Sequence, residues 1–379
     1  MLFKDISGNE DVKKELFEAV KKNRIAHAQL FLGSSGDAKL PLSLAFAQYL
    51  NCEQKANNES CNICHSCQMH NTLSHPDLHF VFPVLKTDNI KNPTSDNFVK
   101  NWRKAIIKNP YISLNEWYDY LGSENKQGAI YKDEAENIQK KTSLKNFEAA
   151  FRIFIFWMPE RMNIITANKL LKLIEEPPKG TFFFLISENF DQLLPTITSR
   201  VQTVKIKKFS NNNIVEYLQK NHNITKEKAN KISRIVSGNL SKAIYICKNE
   251  PNQNFLKEFQ NWMQICYKAK IIETANFIDK ITKKGRENQK VFLCESLRII
   301  RECLLVNTHN DGLQKKQKLE EKFIRNFAPF IHESNSIEIF ERLEKAIKNI
   351  ERNANPKILF YELSLQMMRL LKVKRKFAH

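Results

Sequence analysis

The chain has 379 residues, room for two or three domains at roughly 100 to 200 residues each. Hydrophobic residues make up 42% and aromatics 10%, which excludes wholesale disorder; only 9 glycines, far below the roughly 7% usual in globular chains, exclude fibrous and linker-rich architectures and leave helix to dominate. The formal charge of +19 lies almost entirely in the second half: residues 201–379 hold 35 Lys and Arg against 18 Asp and Glu, whereas residues 1–200 hold 25 against 23. A field of that sign favours polyanions, nucleic acid first among them.

At the start, Met1 to Leu16 alternates charged and apolar residues without a signal-peptide core, and no apolar run reaches the roughly 18 residues that span a bilayer, so a cytoplasmic protein without a membrane partner is expected. Asn9 is placed to cap a helix whose stripe is Val12, Leu16 and Val20. A strand at Gln29 to Leu32, a loop from Gly33 to Lys39 and an apolar helix from Leu40 or Pro41 to about Leu50 follow. Arg152 to Trp157 and Thr181 to Ser187 read as strands buried on both faces of a parallel sheet, separated by a helix from Ile165 to Glu175. This alternation predicts an α/β domain over residues 1–207. After Phe209 no strand is expected: residues 208–249 form a small helical unit and 250–379 several longer helices, the last from Ile358 to Leu371. Residues 84–127, with Trp102, Tyr111, Trp117 and Tyr118, interrupt the alternation and read as an insertion.

Gly33-Ser-Ser-Gly36-Asp-Ala38-Lys39-Leu40 stands where a phosphate loop belongs, with Gly33, Gly36 and Lys39 as candidate phosphate contacts. The loop is degenerate. Ala38 replaces the last glycine, and Leu40 replaces the hydroxyl that would bind Mg²⁺. The strand ending at Phe156 runs into Trp157-Met158-Pro159, where a nucleotide hydrolase carries carboxylates for the metal and the attacking water. Glu160 and Glu175 are the nearby acids, but neither stands in the expected place, so no hydrolysis by this chain is expected. Binding of an anion by Lys39 and the loop amides stays open.

Cys52, Cys61, Cys64 and Cys67 form C-x8-C-x2-C-x2-C within a module at about 51–79. In a reducing compartment this spacing predicts a structural zinc held by four thiolates at about 2.3 Å, with no open position for catalysis. His65 and His70 are alternative ligands that four cysteines make unnecessary. Cys247, Cys266, Cys294 and Cys303 lie in apolar helical stretches and are expected to be reduced.

Several motifs together resemble the bacterial clamp-loader subunits of DNA polymerase III, of the AAA+ class. They are Arg24-Ile-Ala-His27-Ala-Gln-Leu-Phe-Leu-Gly33, the cysteine module, His75-Pro76-Asp77, Ala167-Asn168 through Leu171-Lys172 to Glu175-Glu176-Pro177-Pro178, Ser199-Arg200 and Glu351-Arg352-Asn353-Ala-Asn-Pro356. The resemblance covers nearly the whole chain apart from the insertion and is greatest to the delta-prime type. The motor subunits gamma and tau keep an intact loop, an Asp-Glu pair and a lid arginine; here those places hold Ala38 and Leu40, Trp157 and Met158, and Ser241. The resemblance implies an AAA+ type α/β domain, a helical lid at 208–249 and a collar that assembles the chain into a hetero-oligomer with gamma/tau and delta. It implies that Arg200 reaches in trans to a neighbour's ATP while the assembly places the sliding clamp on primed DNA; Val201 stands where the family motif has Cys. Glu175 to Pro178 is assigned to interface or architecture, and the basic tail Lys372 to Lys376 to phosphate contact or a frayed end. Two alternatives stay open: an ATP-hydrolysing gamma/tau-like motor, and a zinc-bearing DNA-binding protein with a vestigial nucleotide fold.

Overall fold

The computed structural model describes residues 1–87, 90–122, 128–248, 255–307, 318–351 and 354–374. Five strands, β1 (Ala28–Leu32), β2 (Leu78–Val81), β3 (Arg152–Trp157), β4 (Thr181–Ser187) and β5 (Gln202–Lys205), form one parallel sheet in the order β2-β3-β4-β1-β5. The three strands expected from apolar runs are the three central ones, because only there do helices cover both faces. The two edge strands were not expected. β2 is four residues long and β5 is half exposed, so neither produces a continuous apolar run.

Side-chain alternation along the central strands feeds two cores. Phe31, Ile153, Ile155, Trp157, Phe182, Phe184 and Ile186 point into one, Leu30, Phe154, Phe156, Phe183 and Leu185 into the other. The first core is closed by α1 (Glu10–Lys21) and α2 (Lys39–Asn51), the second by α6 (Lys132–Ser143), α7 (Ile164–Glu175) and Ile197 of α8 (Pro195–Thr198). Asn9 precedes α1 as expected but makes no side-chain cap: its amide donates to Lys207 O (3.2 Å) and accepts from Lys207 N (2.8 Å), tying the helix start to the segment after β5.

Between α3 (His65–Asn71) and α6 lie α4 (Ser95–Lys108) and α5 (Leu114–Tyr120), both within the segment read as an insertion. Its aromatics belong to the first core and form no separate subdomain. Trp102 stacks on Phe82 (centroids 4.3 Å) and meets Trp117 edge-on (5.1 Å), and Trp117 Nε1 donates to Pro83 O (2.8 Å). Tyr111 meets Phe209 and Tyr217 edge-on, the latter in α9 (Asn211–His222). With α10 (Lys226–Val236) and α11 (Leu240–Lys248), α9 completes a helical group whose Ile214, Leu218, Ile232 and Ile244 join the same core, so residues 1–250 make one unit.

Residues 251–379 make a second unit with its own core. It contains α12 (Phe255–Tyr267), α13 (Ile271–Thr282), α14 (Arg286–Asn307), α15 (Lys318–Phe327), α16 (Glu333–Glu351) and α17 (Pro356–Leu370). Trp262 is fully buried, stacks on Phe277 (6.0 Å) and donates Nε1–H to Ser364 Oγ (2.9 Å), which satisfies the only polar atom of its ring. None of the eight cysteines, all of them among the described residues, forms a disulfide. Arg352, Asn353 and residues 375–379 of the basic tail lie outside the described residues.

Candidate functional site

The turn from β1 into α2 is the degenerate loop, and its own side chains fill it. Gly36 has a φ of +70°, and a Cβ there would meet Asn239 Oδ1 at 2.0 Å; a Cβ on Gly33 would meet Asp37 Oδ2 at 2.0 Å. Asp37 Oδ1 accepts from both donors that a phosphate would require, the Lys39 main-chain N–H (2.9 Å) and Lys39 Nζ (3.0 Å). Lys39 Nζ also donates to Ser34 O and lies 4.0 Å from Glu188 Oε1. Burial pushes the Asp37 carboxyl up to about 6 against the attraction of Lys39, and Asp37 Oδ2 has no hydrogen-bond partner. The start of α11 closes the loop from above, with Leu240 N donating to Gly36 O (2.9 Å).

At the end of β3, Trp157 and Met158 are buried, and the Trp157 ring lies 5.0 Å from that of Trp102. Met158 turns the chain with a φ of +57°, and Glu160 follows two residues on. Burial raises the pKa of Glu160, whose Oε1 accepts from Glu188 N (3.3 Å). Ser241, at the position read as that of the lid arginine, donates to Glu116 Oε2 of α5 (3.0 Å). Oxygen ligands for a divalent cation are therefore missing at Leu40, Trp157 and Met158, and the neighbourhood of Lys39 carries Asp37 and Glu188, whose charges repel a phosphate.

Arg200 lies just past α8, ahead of β5. Its Nε donates to Glu175 Oε2 (2.8 Å) and its Nη1 to Thr196 O (3.0 Å) and Ser199 Oγ (3.4 Å). The side chain is one-third exposed. Val201 packs against the second core beside Ile197, so the change from the family's Cys retains an apolar contact and leaves the guanidinium free of it.

The four module cysteines converge. Their sulfurs all lie within 4.8 Å of one another, with Cys61 and Cys67 at 3.9 Å. Backbone N–H groups point at three of them: Cys61 N at Cys52 Sγ (3.2 Å), Cys64 N at Cys61 Sγ (3.3 Å) and Cys67 N at Cys64 Sγ (3.4 Å). Such donors favour thiolate over thiol, and those of Ile63 and Cys64 hold Cys61 down at about 6. Four sulfurs at this spacing fit a metal ion. Neither histidine takes part: His65 Nε2 is 3.7 Å from Glu148, and His70 is buried against His75 (4.7 Å), its pKa driven down to about 3 by that burial.

A sequence profile of the family described as DNA polymerase III, delta subunit matches residues 8–210, more than half of the chain. The chain belongs to this family. The delta′ subunit of Bacillus subtilis DNA polymerase III is 30% identical over 193 residues, which are 51% of this chain and 46% of that protein. The tau subunit of the same organism is 24% identical over 218 residues, 58% of this chain and 31% of tau. The chain thus matches less than half the length of either relative. A gamma subunit-related protein of Thermotoga maritima, 14% identical, aligns over 96% of this chain and 100% of its own with a TM-score of 0.40. The α/β domain with a parallel sheet and the helical C-terminal unit expected for the AAA+ class are both present in this family member. Among its described residues no helix is long and apolar enough to cross a membrane.

Glu188 and three further participants escaped the sequence reading. Asp37 was legible in principle, because an acid two residues before the lysine is the wrong charge for a phosphate cradle. Asn239 and Glu116 were not, since their approach to Gly36 and Ser241 spans more than a hundred residues.

Proposed function

We propose that this chain is the non-hydrolysing, delta-prime-like subunit of a replicative clamp loader. It would act in the cytoplasm with gamma/tau and delta to place the sliding clamp on primed DNA. The observation that carries this reading is hydrocarbon where metal ligands would have to be: Trp157 sits against Trp102, and Met158 and Leu40 are buried. Lys39 is bound by Asp37 of its own loop, and the two positions at the end of β3, Trp157 and Met158, carry no carboxylate to polarise water.

Its contribution is then made outward. Arg200 would place its guanidinium on the terminal phosphate of a neighbour's ATP, where charge spreads over the phosphoryl oxygens in the transition state; such a finger is worth about a thousandfold or more in rate. Cys52, Cys61, Cys64 and Cys67 would hold a zinc ion with no vacant position, and the metal would supply a cross-link for a module that has little core. Residues 208–249 would serve as lid and 250–379 as collar in the hetero-oligomer, and the positive charge concentrated after residue 200 suits a complex that handles DNA.

The test is reconstitution with the motor and clamp-opening subunits. Arg200→Ala is expected to lower DNA-stimulated ATP turnover while the mass of the complex stays unchanged, and unaltered turnover would reject the finger. Turnover by the isolated chain that Lys39→Ala abolishes would establish a motor instead. Tight, salt-dependent DNA binding by the lone chain would favour the DNA-binding alternative.

A further inference from the structure

The Glu175-Glu176-Pro177-Pro178 turn has no role in the function proposed above, yet its first residue holds the arginine on which that function depends. Glu175 is the last residue of α7, which ends there because Glu176 leaves helical geometry ahead of two prolines. Arg200 follows α8. Leu170 and Ile174 of α7 and Ile197 of α8 share the second core, so buried apolar packing fixes the two backbones relative to one another. The carboxylate and the guanidinium are thus brought together by tertiary structure across 25 positions.

The guanidinium is held along one side only. Nε is bound by Glu175 Oε2, Nη1 by Thr196 O and more loosely by Ser199 Oγ, and Nη2 has no acceptor among the described residues. An arginine side chain is long and loses much rotamer freedom when it is fixed, whereas a guanidinium whose Nε and Nη1 are already bonded presents its remaining donors in a set plane. The pair itself is exposed, Glu175 by 54% and Arg200 by 33%, and an exposed pair of this kind adds little to folding. Its consequence is therefore one of orientation.

We propose that Glu175 is a positioning residue for Arg200: it binds Nε and so aims the Nη2 edge at a phosphoryl group presented by a neighbouring subunit. This rests on the assignment of Arg200 as a finger in trans. Glu175 does not touch the nucleotide; it acts through the arginine, by removing the disorder that the side chain would otherwise lose at the moment of reaction.

The experiment uses the full chain in the reconstituted complex with clamp and primed DNA, and reads kcat and KM for ATP. Glu175→Ala is expected to lower kcat between about threefold and thirtyfold, the range set by the rotamer freedom of one arginine, with KM nearly unchanged. Glu175→Gln keeps an oxygen that accepts from Nε and is expected to restore most of the rate. In an Arg200→Ala background, Glu175→Ala is expected to cost nothing more. Wild-type kcat in Glu175→Ala, an equal loss in the Arg200→Ala background, or a Gln variant as slow as the Ala variant would each overturn the proposal. Failure of the finger assignment looks different: Arg200→Ala alone would then turn over ATP at the wild-type rate. Thermal unfolding of each variant chain is expected to match the wild type, because both side chains are exposed, and a lowered midpoint in Glu175→Gln would mark a structural role and overturn the proposal.

Discussion

Removing the zinc proposed for the cysteine cluster is expected to lower the thermal stability of residues 1–250 and to release the amino terminus. Four sulfurs at 2.3 Å from one ion stand about 3.8 Å apart. Cys61 and Cys67 are already at 3.9 Å and every sulfur lies within 4.8 Å of the others, so the ion is gripped after movements of about 1 Å or less and little of its binding energy goes into rearranging the chain. At free zinc a thousandfold above Kd, linkage adds about 4 kcal/mol to stability. For a unit of this size each kcal/mol is worth about 2–4 °C, so the shift should be about 8–16 °C. Glu59, in the loop between Cys52 and Cys61, accepts from the N–H groups of Phe3 (3.2 Å) and Lys4 (2.9 Å), and Asn71 accepts from the Met1 ammonium (3.0 Å). Hydrogen exchange at Phe3 and Lys4 should therefore quicken when the module loosens. Calorimetry of the full chain in zinc buffers, before and after chelation, measures the shift; elemental analysis should return one zinc per chain, and cobalt should give the charge-transfer bands of thiolate ligation. A chain that binds neither metal and melts at the same temperature after chelation would refute the reasoning.

Two further predictions concern buried charge. Lys39→Met leaves Asp37 uncompensated in a site where its side chain has no solvent exposure, and is expected to cost about 3–5 kcal/mol at pH 7. The loss should shrink below about pH 4, where Asp37 is neutral in the folded and unfolded chain alike, and should largely disappear in Lys39→Met/Asp37→Leu; urea denaturation of the three chains checks this, and a single variant as stable as the wild type would refute it. Asp77 behaves in the opposite sense. Burial works to raise its pKa, but the N–H groups of Ala149, Glu148 and Phe147 at 2.9–3.0 Å outweigh it and hold the carboxyl below its ordinary value. A depressed acid stabilises the fold above the unfolded pKa of about 3.9 and loses that contribution as pH falls through the lower folded value. Asp77→Asn is therefore expected to be less stable by about 1.5–3 kcal/mol at neutral pH, with the gap closing below about pH 4; a gap of constant size down to pH 3 would count against the three-donor account.

Much of this was legible in the sequence, and the reasons are local. Ile153-Phe-Ile-Phe156 and Thr181 to Ser187 are apolar at every position or nearly so, which only a strand covered on both faces requires. The cysteine spacing pointed to four sulfurs that the fold brings within 4.8 Å of one another, and the apolar character of Leu40, Trp157 and Met158 needed only the residue names. β2 and β5 stayed hidden because an edge strand is defined by its neighbour and not by its own composition. The packing of the segment 84–127 was not legible, because nothing in the order of its aromatics says that Trp102 and Trp117 fill the sheet's own core beside Phe82 and Trp157.

By itself the sequence determined which side chains stand in the β1–α2 loop, after β3 and in the cysteine module, since an absent carboxylate or a present thiol is a property of the residue alone. Only the tertiary structure decided how the remaining charges are used. It brought Asp37 onto Lys39, Asn239 over Gly36 and Glu175 onto Arg200. The physical reason is that hydrogen bonds and ion pairs act over about 3–4 Å of space whatever the separation along the chain, and only the packing of the sheet and its helices sets that space.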